Sequence, residues 1–118
     1  MRLCRSAGAA LGALALVLAT PTSASAATGD FFYKYVGLDG SPQAAVLHDP
    51  DSLACITLPE VADPDASAPA FAPHNDTGAW AIVFTEPGCA GDFWTLRPHG
   101  RPATDRLKLR SVYFTDQR

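Results

Sequence analysis

Residues 30–36, Asp-Phe-Phe-Tyr-Lys-Tyr-Val, are dense in aromatics and show no helical period, which predicts a strand with one buried face. Asp39-Gly40 then precedes a second apolar run, residues 44–47, so a hairpin is expected there. Asp49-Pro50-Asp51-Ser52 ends that run, and residues 53–58 follow as a third strand carrying Cys55. From 59 to 78 the chain holds Pro59, Pro64, Pro69 and Pro73 among Ala, Asp and Ser, the pattern of a long surface loop. Small residues from 62 to 70 predict mobility, with Phe71 and His74 placed to pin the far end.

The clearest strand is residues 79–85, where the period of two sets Trp80, Ile82 and Phe84 on one face and Ala81, Val83 and Thr85 on the other. Core packing is expected for Trp80. A Gly-containing turn at 86–92 holds Cys89, and residues 93–97 continue as a strand in which Trp94 is either a core residue or a surface anchor. Pro98, Gly100 and Pro102 break the pattern before a last alternating run at 107–114. No helical period appears after the N-terminal segment, so the expected class is all-β, a small sandwich or barrel.

The N-terminal segment changes the compartment. Arg2 and Arg5 precede an apolar run at 7–19, and Ala24-Ser25-Ala26 supplies the small side chains of a cleavage site. Residues 1–26 therefore read as a secretory signal peptide, leaving 27–118 as a single extracellular domain. The apolar run is shorter than the about 20 residues a membrane span needs, and no later stretch is long enough either. Cys4 leaves with the signal. Cys55 and Cys89 remain as an even pair in an oxidising compartment, and a disulfide between them is expected. Their spacing suits neither a zinc site nor a reactive thiol. Asn75-Asp76-Thr77 forms a glycosylation sequon.

Charge divides unevenly. Residues 27–96 hold ten acidic side chains against Lys34 alone, whereas residues 97–118 hold six basic ones against Asp105 and Asp116. The chain is acidic overall, at −3, which argues against nucleic-acid binding. The simplest expectation is that the basic end folds beside the acidic body, with Arg106, Lys108 and Arg110 close to carboxylates. The alternative is a basic patch for an acidic partner. His48, His74 and His99 all fall beside predicted turns, and no nucleophile elbow, metal-binding helix motif or phosphate loop is present. No catalytic residues and no cofactor are therefore assigned, and the protein reads as non-enzymatic.

Phe84, four further residues, Cys89, Ala90 and Gly91 resemble the folded hairpin of βγ-crystallin Greek-key motifs, with Cys89 in place of the second aromatic. Glu86 within the turn and Ser111 on the last strand match family positions, the serine as a residue that hydrogen-bonds back to the hairpin. The first half offers only Phe31, Tyr35, Val36 and Gly37 as a degenerate counterpart. The resemblance implies a small antiparallel Greek-key sandwich. It also implies a weak calcium-binding capacity, but Asp105 alone precedes Ser111 and supplies too few oxygen ligands. By function it allows secreted peptidase inhibitors, with a rigid loop at 86–92 or 98–105, and small antimicrobial toxins. A structural cell-envelope protein is a further alternative. The expected role is a monomeric binding module for an extracellular protein or cell-wall component, with Trp94, Arg97, Arg101 and Arg106 as the candidate surface.

Overall fold

Phe31 and Tyr33 are buried while Phe32 and Lys34 are exposed along β1 (Gly29–Val36), the alternation of a strand with one face on a core. The computed structural model describes residues 25–116. The signal-peptide assignment lies outside them apart from Ser25 and Ala26, as does Cys4. β2 (Pro42–His48) pairs antiparallel with β1 across a turn in which Asp39 accepts from the Ser41 N–H (3.0 Å) and hydroxyl (2.7 Å). β3 (Cys55–Thr57), a 3-10 turn (Pro59–Val61), β4 (Ala70–Thr77), β5 (Trp80–Glu86), β6 (Ala90–Leu96), β7 (Lys108–Leu109) and β8 (Ser111–Thr115) complete the chain.

These strands form two antiparallel four-stranded sheets, ordered β2-β1-β4-β7 and β3-β8-β5-β6. Each sheet takes three strands from one half of the chain and one short strand from the other: β7 joins the first half, β3 the second. The core lies between the sheets. Phe31 from one meets Phe114 from the other edge to face, with ring centres 5.4 Å apart, and Leu58, Val61, Val83, Leu109 and Val112 fill the space around them. Cys55 and Cys89 are joined, with Cα atoms 5.9 Å apart and a sequence separation of 34.

Four expectations are corrected. The stretch 59–78 is not one surface loop, because Ala70–Thr77 is a strand between β1 and β7. It accommodates buried Pro73 because the β1–β4 register shifts between Phe32 and Lys34, an irregularity at which no ladder donor is required. The rest of the loop is pinned. Buried Arg110 donates through Nη1 to the Val61 carbonyl (3.0 Å) and Ser67 hydroxyl (3.2 Å), and through Nη2 to the Ser67 carbonyl (2.8 Å).

Residues 107–114 are not one strand either. Lys108–Leu109 pairs with β4 and Ser111–Thr115 with β5 and β3, so the chain crosses between the sheets at Arg110. This crossing also undoes the expected charge pairing. Arg110 is satisfied by carbonyls, Lys108 Nζ sits 5.1 Å over the Phe71 ring, and every ion pair among the described residues involves a histidine.

On β5 the two faces are the reverse of expectation for Trp80. Ala81 and Val83 face the core, while Trp80, Ile82 and Phe84 lie half-buried on the outer side. The bulk of Phe31, Tyr33 and Phe114 leaves room only for small β5 side chains inside.

Candidate binding surface

The hairpin joining β5 and β6 is folded back and held from three directions. Ser111 Oγ accepts from the Cys89 N–H (2.9 Å) and donates to the Glu86 carbonyl (2.6 Å). Thr57 Oγ1 accepts from the Gly88 N–H (3.0 Å), and the disulfide ties Cys89 to β3. The turn runs through left-handed backbone at Gly88 (φ 71°), Cys89 (φ 57°) and Gly91 (φ 85°). At Gly91 a Cβ would also run into Thr85 Oγ1 and the Glu86 side chain, so glycine is required twice over. Glu86 enters this arrangement through its carbonyl; its residue is exposed. Phe84 packs across to Phe93, with ring centres 6.2 Å apart.

Beyond the turn, β6 is the outermost strand of its sheet, and both of its large aromatics are open to solvent: Phe93 is 64% and Trp94 63% exposed. They sit on opposite faces. Phe93 is paired with Phe84 on the outer side, whereas Trp94 is paired with core-facing Val83 and overhangs the sandwich. Trp94, Ala103, Thr104, Arg106 and Leu107 line a concavity of about 400 Å³. On the outer side Trp80, Thr95, Arg97 and Pro98 line another of about 440 Å³. Arg97 and Arg101 share a third, of about 550 Å³, with His99.

The structure thus divides the four candidate surface residues, Trp94 with Arg106 and Arg97 with Arg101. The segment carrying Arg97 and Arg101 is firmly placed. Buried Asn75 donates through Nδ2 to the carbonyls of Ala79 (2.8 Å), Leu96 (3.3 Å) and Arg97 (2.9 Å), and its Oδ1 accepts from the Thr77 hydroxyl (2.7 Å). The sequon asparagine is therefore a buried clamp, closed to glycosylation in the folded protein. The N–H groups of His99, Gly100 and Ala103 donate to the carbonyls of Thr77, Asn75 and Pro73, laying this segment along β4.

Phe93 and Leu107 were not singled out by sequence, and Asn75 only as a sequon residue. An aromatic pair in a strand signals one inside and one outside; exposure of both requires an edge, which only the strand order reveals.

The opposite sheet presents different chemistry. His48 Nδ1 lies 2.6 Å from Asp30 Oδ1 and its Nε2 3.4 Å from Asp49 Oδ2, while His99 Nδ1 lies 2.8 Å from Asp76 Oδ1. The hydrogen bond to Asp30, helped by the charges of Asp49 and Asp30, raises the His48 pKa. No hydroxyl or thiol hydrogen-bonds to either ring among the described residues. Burial, then the bond to Glu60 (2.6 Å), pushes the Tyr33 hydroxyl well above its usual range and keeps it a donor. Among the described residues no three His, Cys, Asp or Glu side chains are grouped to hold a metal ion, and Asp105 is exposed. No helix of these residues is long and apolar enough to cross a membrane.

Compared with known proteins, the chain matches no family model, no curated protein and no solved structure.

Proposed function

We propose that this protein is a secreted, non-enzymatic domain of the βγ-crystallin-like kind that binds an extracellular protein or cell-wall component through the side of the molecule built on β6. The Greek-key reading is supported by the exchange of short β3 and β7 between the halves and by Ser111 bridging both ends of the folded hairpin. Secretion is supported by the N-terminal sequence pattern and by the disulfide. The observation that carries the binding reading is the exposure of Phe93 and Trp94, 64% and 63%, on a rigid strand flanked by Arg97, Arg101 and Arg106. Aromatic and arginine side chains supply most of the energy at protein interfaces.

The test is affinity capture from culture supernatant and cell-wall extract, comparing the exported protein with Trp94→Ala/Arg106→Glu. A component retained by the first and lost by the second is the expected outcome; equal retention places the binding elsewhere. A second reading is a peptidase inhibitor acting through residues 86–92, favoured by the anchoring of that exposed turn to Ser111, Thr57 and Cys55.

A further inference from the structure

Four strands end the two sheets: β2, β7, β3 and β6. β7 has two residues and β3 three, and β3 is fastened by the disulfide. β2 begins with Pro42, carries small side chains at Ala44 and Ala45, and ends beside Asp30 and Asp49. β2, also of seven residues, exposes Val46, but β6 alone combines an edge of that length with large exposed aromatic side chains on both faces. Proteins ordinarily blunt such an edge.

The direction of its backbone groups follows from the register. The Arg110 N–H donates to the Phe84 carbonyl (2.8 Å) from the β8 side, so the Phe84 backbone is turned toward β8. Antiparallel ladders alternate, and Phe93, opposite Phe84, therefore turns its own N–H and C=O away from β5. Thr95, two residues on, does the same. Asp92, one residue before Phe93, points its N–H back at Thr85 Oγ1 (3.0 Å), as alternation requires. Among the described residues no turn, loop or side-chain hydrogen bond reaches the Phe93 or Thr95 backbone.

The far end of this edge is basic, whereas its start carries exposed Asp92. Arg97 stands on the outer side with Trp80 and Thr95, and Arg106 on the inner side with Trp94 and Leu107. Neither is paired with a carboxylate among the described residues.

We infer that the open edge of β6 takes up an extended acidic segment of a partner protein as an added strand. Main-chain bonds form to Phe93 and Thr95, the segment's carboxylates meet Arg97 on one face and Arg106 on the other, and an apolar side chain enters the concavity between Trp94 and Leu107. The inference rests on the reading of the β6 side as the binding face. It deepens that reading by specifying the partner's conformation and charge. A second copy of this chain is the less suitable occupant, since its own β6 brings Asp92 as its sole carboxylate.

The probe is acetyl-Glu-Glu-Val-Leu-Glu-Glu-Val-amide, which as a strand sets glutamates on both faces and leucine on the inner one, titrated into the protein and followed by calorimetry and amide hydrogen exchange. Binding with slowed exchange at Phe93 and Thr95 is expected. Thr95→Pro removes an outward N–H without touching the ladder to β5 and should weaken binding about tenfold. N-methylation of alternate peptide amides leaves the protein unaltered and should abolish binding, as should replacing Glu by Lys in the peptide or Arg97→Glu/Arg106→Glu in the protein.

Absence of binding overturns the inference. Binding that survives N-methylation and Thr95→Pro but is lost in Trp94→Ala also overturns strand addition, while leaving the binding face standing. Binding indifferent to Trp94→Ala as well removes both readings. Slow exchange at Phe93 and Thr95 in the protein alone, accompanied by a dimer's mass, assigns the edge to a second copy and overturns the peptide proposal.

Discussion

The two long hairpins of this protein, β1–β2 and β5–β6, occupy corresponding places in their sheets yet are held together by different means. The first is closed locally. Asp39 bonds Ser41 two residues away, the Gly37 N–H donates to the Ser41 carbonyl (2.8 Å), and Gly40 (φ 83°) stands in open space. The second is closed by residues far along the chain: Ser111, Thr57 and Cys55 all reach its turn. The lesson is that long-range anchoring has been placed where the exposed aromatics and arginines are, so that β6 is presented as a fixed edge. The locally closed hairpin instead carries the exposed His48–Asp30 pair at its open end.

That contrast breaks most visibly at the disulfide. Cys55→Ser with Cys89→Ser should lower stability by about 2–5 kcal/mol in chemical denaturation, with two-state unfolding giving way first in β5–β6. Such a loss is a large share of what holds a small domain folded. Free thiols found on titrating the unfolded, unreduced protein would remove the premise.

The glycines sharpen the comparison next. Gly91→Ala meets both positive φ and a steric wall and should cost about 1–3 kcal/mol, whereas Gly40→Ala meets only the backbone term and should cost about 1 kcal/mol. Paired urea titrations decide this, and equal losses would show that the turns are held alike. Ser111→Ala unpairs the Cys89 N–H and Glu86 carbonyl together, for an expected about 1–2 kcal/mol, while Asp39→Ala in the exposed first turn should cost less.

The smallest effect concerns pH. The folded His48 pKa is raised by Asp30 and Asp49, so its stabilisation is present below about pH 6.5, the unfolded value, and is lost as pH rises through the folded value. Melting temperature should therefore fall slightly less between about pH 5 and pH 8 in His48→Ala than in the parent. Because the ring is exposed, the difference is small.

Much of this architecture could be read from residue order. Aromatic and apolar runs mark β1, β2 and β6, and alternation marks β5, within a few residues of their ends, while the cysteine count marks the bridge. β4 escaped because Pro73 and its alanine neighbours imitate a loop, and only the irregular register opposite Phe32 and Lys34 makes that proline harmless. The crossing at Arg110 escaped because its partners are carbonyls, which no side-chain pattern advertises. Trp94 and Arg106 were both visible as candidates, but their convergence and the openness of Phe93 depend on β6 being last in its sheet, a property of non-local pairing.

The most direct test is differential amide hydrogen exchange of the two hairpins, measured on the protein with and without any component recovered by affinity capture. Slowed exchange along β6, at Phe93 and Thr95 above all, with β2 unchanged, is the expected result. Protection on β2, or none on β6 while the component is demonstrably bound, would contradict it.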